Sequence, residues 1–126
     1  MSKKFFTLGA ILAGLAVAIG AYGAHGGAKY LTEITSITFD KAVKYQMHHA
    51  LALLITALAF SRYPNQKKVL NIAGYAFLLG IILFSGSLYI IVFAKIKMGY
   101  ITPAGGTAFI IGWLALVYAA WKEKEA

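Results

Sequence analysis

Apolar and polar residues alternate along this chain in long blocks rather than in short periods. Four apolar blocks stand out: Phe5 to Ala24, Ala50 to Phe60, Val69 to Ala94 and Pro103 to Trp121. The first holds about 20 residues without a charge, the length that crosses a hydrocarbon core of roughly 30 Å. The second is shorter, but the polar run Lys44-Tyr45-Gln46-Met47-His48-His49 leads into it. Inside a bilayer every backbone N–H and C=O needs an internal partner, so such blocks predict helices. The alternation of a spanning β-barrel, in strands of about 10 residues, is absent. The pattern predicts one all-α domain over residues 1–126, an integral membrane bundle with helices at about 5–24, 38–61, 69–94 and 103–121.

Local signals set the expected ends. Thr38 suits an N-cap for the second helix, with Asp40 in its first turn where the helix dipole favours an anion. Pro64 stops it. Thr102 before Pro103 reads as an N-cap with proline at the first helical position. Trp121 and the run Lys122-Glu123-Lys124-Glu125 read as an interfacial anchor and a wet tail. Between the first two spans, Tyr30, Leu31, Ile34 and Ile37 recur at helical spacing within the polar stretch 29–37. That stretch is expected to form a short amphipathic helix at the membrane surface, with a plain loop as the alternative. Lys3, Lys4 and the following apolar run also fit a secretory leader; we read them as a retained helix.

Composition sharpens the class. Hydrophobic residues make up 60% of the chain, against roughly 45–50% in soluble domains. A short water-soluble fold cannot hide that much apolar surface. Cysteine is absent, which excludes disulfides, thiolate metal sites and a cysteine nucleophile. The formal charge is +8, but the basic residues sit between apolar blocks. That placement orients a membrane protein and meets anionic lipid, whereas a nucleic-acid surface would cluster them on one face. Lys3, Lys4, Arg62, Lys67, Lys68, Lys122 and Lys124 fall on one side of a four-span chain; Lys29, Lys41, Lys44, Lys95 and Lys97 fall on the other. The balance favours cytoplasmic termini, in a bacterial inner membrane.

Small residues four apart let helices approach closely. Ala10/Gly14, Ala16/Gly20, Ala76/Gly80 and Ala108/Gly112 are such pairs. They can serve packing within the bundle, or contacts with a second copy or a larger membrane complex.

Candidate chemistry rests on polar residues within the spans. On the second helix Lys41, Lys44, Tyr45 and His48 share a stripe, with His49 about 100° round from His48. On the third, Asn71, Tyr75, Leu78, Ile82, Ser85 and Tyr89 share another. His25 closes the first helix at the end where the second begins. His25, Tyr45, His48, His49, Ser85 and Tyr89 are therefore the candidate cluster. A metal or haem site needs imidazoles that converge, which adjacent histidines on a straight helix cannot do. A ligand or proton site needs hydrogen-bonding partners such as Tyr45 or Ser85. The structural alternative has these groups satisfying backbone near the Gly-rich turn. The four acidic residues, Glu33, Asp40, Glu123 and Glu125, all lie outside the apolar blocks. No nucleophile elbow, catalytic triad or phosphate-binding loop is present.

Four motifs carry a resemblance: Gly20-Ala21-Tyr22-Gly23-Ala24-His25-Gly26; Tyr45-Gln46-Met47-His48-His49-Ala50-Leu51-Ala52-Leu53-Leu54; Phe84-Ser85-Gly86-Ser87-Leu88-Tyr89; and Ile101-Thr102-Pro103-Ala104-Gly105-Gly106, with Gly112-Trp113 beyond it. In this order they resemble the membrane-protein family called domain of unknown function 423, or uncharacterised protein family 0382. The resemblance implies a compact four-helix membrane protein and assigns no catalytic residue. The expected function is a non-enzymatic structural or accessory subunit, with no metal and no cofactor. The alternative is binding or transport of a lipid, quinone or other apolar molecule in a pocket of His25, Tyr45, His49, Ser85 and Tyr89. An enzyme would need the histidines to hold a metal or haem. Expected partners are membrane lipid and a homo-oligomer or larger complex, and no nucleic acid.

Overall fold

The computed structural model describes residues 2–124; Glu125 of the polar tail lies outside the described residues. The elements are helical throughout that range: α1 (Lys3–Ala24), a 3-10 turn (Ala28–Tyr30), α2 (Glu33–Arg62), a 3-10 turn (Pro64–Gln66), α3 (Lys67–Gly80), a π-turn (Ile81–Ser85), α4 (Gly86–Ala94) and α5 (Ile101–Lys122). α3, the π-turn and α4 run on without a break, so the Pro64–Ala94 segment is one long rod. α1, the Pro64–Ala94 rod and α5 are each long and apolar enough to cross a membrane. α2 is 30 residues long but carries the polar run at its centre.

Two of the helix starts follow local hydrogen bonding. Ser2 caps α1, its hydroxyl accepting from the Phe5 N–H at 3.4 Å. α2 begins at Glu33 and not at Thr38, because Thr32 and Thr35 form a reciprocal capping box. The Thr32 N–H donates to Thr35 Oγ1 at 2.7 Å and the Thr35 N–H to Thr32 Oγ1 at 3.1 Å. Two orphan donors are satisfied there, and the helix propagates through Thr38, whose hydroxyl donates back to the Ile34 carbonyl. The expected separate helix over 29–37 is thus replaced by the 3-10 turn and the first turns of α2, with Ile34 and Ile37 exposed on its outer face. α5 likewise starts before Thr102. Tyr100 occupies its N-cap without a side-chain bond, because the Thr102 hydroxyl is engaged by Ser87 Oγ across the helix pair. Pro103 still falls in the first turn, where its missing N–H has no intrahelical acceptor to lose.

α1 and α2 pack as one antiparallel pair, and the Pro64–Ala94 rod packs with α5 as another; α2 and the rod join the pairs. The shared core holds Phe5, Leu53, Ala57, Ala73, Phe77, Ile81 and Phe109. The start of α1 and the end of α5 are both tied in at one end of the bundle. The Ser2 N–H donates to the Ala57 carbonyl at 3.0 Å, Lys4 reaches the Tyr75 hydroxyl, and Asn65 Nδ2 donates to Glu123 Oε1 at 3.0 Å. Elsewhere the surface is apolar. α1 buries only Phe5, Gly9 and Ala16, and Ile11, Leu15 and Val17 point outward, as do Ile110, Leu114 and Val117 of α5. Contiguous apolar surface on this scale marks an interface with lipid or protein.

The close helix contacts only partly match the expected small-residue pairs. Gly80, Ala108 and Gly112 are buried where the rod meets α5, Ala16 is buried, and Gly20 faces Val43 of α2. Ala10 and Gly14 are exposed, and a Cβ on Gly14 would meet nothing within 4 Å. The α1–α2 approach instead uses Gly9, where a Cβ would lie 2.8 Å from the Ala50 carbonyl oxygen. The tightest backbone approach is at Gly105. A Cβ there would stand 2.4 Å from the Phe84 backbone nitrogen, so α5 crosses the π-turn with no room for a side chain.

Candidate functional site

One face of the polar half of α2, with Ala42, Gln46 and His49 buried on it, turns into the bundle and bonds to α1, the π-turn, α4 and α5. His49 is the centre. Its Nδ1 lies 2.8 Å from the Tyr45 carbonyl oxygen and its Nε2 3.1 Å from the Trp113 indole nitrogen. The carbonyl can only accept and the indole can only donate, so the ring is neutral, with its proton on Nδ1. Its face stacks on Phe109, with centroids 3.5 Å apart and planes 9° from parallel. Phe77 and Trp113 pack against its other sides.

Gln46 performs a second join. Its Nε2 donates to the Leu12 carbonyl of α1 at 2.9 Å, and its Oε1 accepts from the Tyr89 hydroxyl of α4 at 2.7 Å. Ser85, in the π-turn, donates from Oγ to the Ala42 carbonyl of α2 at 2.8 Å. Two residues on, Ser87 donates to the Phe84 carbonyl at 2.9 Å and meets Thr102 of α5. Among the described residues, no buried side-chain nitrogen or oxygen lacks a partner.

The six candidate residues do not share one site. Tyr45 and His49 sit together on a groove of about 330 Å³ between α2, the π-turn and α5, completed by Phe84, Gly106, Phe109, Ile110 and Trp113. Tyr89 lines a different groove, of about 460 Å³, with Ala18, Ile19, Tyr22 and Phe93. Ser85 is fully buried and reaches neither groove. His48 is exposed, its ring 6.0 Å from that of Tyr45. His25 is exposed at the C-cap of α1, where its backbone N–H donates to the Ala21 and Tyr22 carbonyls. Among the described residues, no group of three metal-ligand side chains forms.

Two features escaped the sequence. The expected third-helix stripe breaks because the π-turn inserts an extra residue per turn, so Ser85 is buried while Tyr75 and Ile82 face outward. Gln46 and Trp113 bond α2 to α1, α4 and α5, yet neither stood among the candidates. Both left a signal. Gln46 falls on the stripe Phe39, Ala42, Ala50 and Leu53, all buried, and a polar side chain within such a stripe needs a partner. An indole N–H within an apolar block also needs an acceptor.

The motifs quoted above are halves of contacts. Gly23 lies under the Phe39 ring, Gly105 against the Phe84 backbone, Ser87 on Thr102, and His49 on Trp113. Residues 19–106 match the family described as "Protein of unknown function (DUF423)". A UPF0382 membrane protein of Staphylococcus aureus (strain bovine RF122 / ET3-1) is 46% identical over 121 residues, covering 95% of this chain and 97% of that one. The UPF0382 membrane protein YwdK of Bacillus subtilis is 44% identical, covering 95% and 98%. A UPF0382 membrane protein of Haemophilus influenzae is 40% identical over 126 residues, covering 99% of each chain. No solved structure matches. The chain belongs to this DUF423/UPF0382 family of membrane proteins.

Proposed function

We propose that the protein is a non-enzymatic membrane scaffold or accessory subunit, whose polar interior holds four spans together and whose outer faces meet other membrane proteins. The observation that carries this reading is the fate of the polar side chains. His49, Gln46, Ser85 and Tyr89 are each committed to a bond within the chain, most of them to backbone carbonyls. Groups spent on holding helices are not free to bind or turn over a substrate. The unused pair Ala10/Gly14 on the outer face of α1 is the kind of surface on which a second transmembrane helix packs.

In this reading α2 spans beside the three more apolar helices, and its first turns, with Ile34 and Ile37 outward, lie at the membrane surface. The chain is one domain in the bacterial inner membrane. The bundle end that carries Lys4, Arg62, Lys67 and Lys68 faces the cytoplasm, together with both termini. Two measurements test the reading. The chain has no cysteine of its own, so single cysteines placed at Lys67 and Lys97 report topology directly, and they should label from opposite sides of sealed cells. Labelling from one side removes the odd number of crossings between them. For assembly, the protein should leave its own membrane in polymer-bounded discs at a mass above one chain. Gly14→Leu, at a position open to the outside, should return that mass to one chain with the fold intact. A wild-type protein that is already a single chain, or a Gly14→Leu variant of unchanged mass, overturns this.

A further inference from the structure

The depth of α2 is fixed by its contacts with α1. The Ser2 N–H meets the Ala57 carbonyl, the Leu12 carbonyl meets Gln46, and Gly23 lies under the Phe39 ring. The two helices therefore run antiparallel in one register along their shared length. α1 is long and apolar enough to cross a membrane, and Leu12 lies near the middle of Lys3–Ala24. Gln46 thus marks mid-depth. At about 1.5 Å per residue, Lys44 and His48 stand about 3 Å from it along the axis, and Lys41 about 8 Å. All three are exposed. They share one outward face of α2, spread over about 80°, which Leu51 and Ile55 continue. Among the described residues, the two ammonium groups and the His48 ring nitrogens have no hydrogen-bond or ion-pair partner. Asp40, one turn before Lys44 on this face, can neutralise one ammonium. The other acids, Glu33, Glu123 and Glu125, belong to the helix ends or the tail. One positive charge near mid-depth is left over. A lysine stem covers only part of the roughly 15 Å from there to the headgroups, and ionisable side chains so deep face protein or water, not acyl chains.

We propose that this face of α2 is covered by a transmembrane helix of another protein, which sets a carboxylate against Lys41 and Lys44 and apolar side chains on Leu51 and Ile55. The inference rests on the reading above that α2 spans the membrane. Charge complementarity selects the occupant. A partner helix with one acid at this depth cancels the surplus cation, and in lipid a polar contact between helices has no water to compete with it. A second copy of this chain does the opposite, since a two-fold axis along α2 brings two surplus cations together, and like charges opposed in an interface are costly. The outer faces of α1 and α5, with Leu15 and Leu114 exposed, make no such demand and suit lipid.

Energy transfer in lipid vesicles tests it. The full chain carries a donor dye on Lys67→Cys, and three synthetic leucine-rich transmembrane peptides, with Glu, Gln or Leu at the central position, carry the acceptor. The Glu peptide should bind about ten-fold more tightly than the Leu peptide, the scale of one polar contact between helices in lipid, with the Gln peptide between them. Lys41→Leu with Lys44→Leu should bring the three peptides level. Both positions are exposed, so near-ultraviolet circular dichroism should show the fold retained. Equal binding of the Glu and Leu peptides, or a preference that survives the lysine changes, overturns the proposal. Transfer between two labelled copies of the chain that the lysine changes abolish assigns the face to a second copy and overturns it too. A further variant, Lys44→Cys, separates this from failure of the spanning reading. Modification by a membrane-impermeant maleimide as fast as at Lys67→Cys removes α2 from the bilayer, and both readings fall. Protection at Lys44→Cys with no peptide preference strikes the acidic partner alone.

Discussion

Gly105→Ala should sharply lower the stability of the folded protein. The added methyl must occupy space 2.4 Å from the Phe84 nitrogen and 2.8 Å from its Cα. Those atoms are backbone of the π-turn, held on its far side by the Ser85–Ala42 bond, so they cannot swing aside as a side-chain tip would. α5 has to move away, and with it go the Ser87–Thr102 contact and the stack of Phe109 on His49. Overpacking typically costs 1–3 kcal/mol. Here the loss belongs at the upper end, about 3 kcal/mol, a large share of the marginal stability of a small protein. The control is its neighbour. Gly106→Ala meets only the edge of the Phe84 ring and should leave the unfolding midpoint in detergent within the scatter of surface changes, about 0.5 kcal/mol. Equal midpoints for both variants would mean that α5 does not cross the π-turn at Gly105.

His49→Ala should cost nearly as much, about 3 kcal/mol, in the range measured for large buried side chains cut to alanine. The ring supplies the surface on which Phe109 lies and the acceptor for the Trp113 indole, so its removal leaves a void and an orphaned donor together. His48→Ala, one residue away on the exposed side, should fall within about 0.5 kcal/mol of wild type. Thermal unfolding in detergent, followed by near-ultraviolet circular dichroism of the Trp113 environment, separates the two. If His48→Ala proves the more damaging, the rotation of α2 described here is wrong.

The adjacent histidines show how far a chain of this kind can be read. The helical nature and the polar character of the second helix are plain in the residues, because backbone satisfaction in lipid leaves few alternatives to a helix. What cannot be read is which of two neighbours turns inward. His48 and His49 differ by 100° about α2, and which of them turns inward is set by where Phe109 and Trp113 arrive from α5, 60 residues and more along the chain. The third helix fails for another reason. A π-turn leaves no signature in hydropathy, yet it shifts every face beyond it, so Ser85 and Tyr89 part company from Tyr75. The capping box at Thr32 and Thr35 was legible in principle; the reciprocal threonines are a local signal that the better-placed Asp40 obscured.

The Gln46 bridge bears on how the protein is made. α2 is the one long helix that lacks the apolar character to cross a membrane alone, and Gln46 in its middle finds its acceptor on α1, at Leu12. In the four-span reading, a ribosome delivering α2 to the bilayer before α1 has docked would present that amide, and the histidines beside it, to hydrocarbon with no partner. On that reading α1 and α2 are expected to enter as a hairpin, and the more apolar rod can follow as a span in its own right. α1, which buries so little of itself in the finished bundle, is in this sense a built-in chaperone for the helix that follows it.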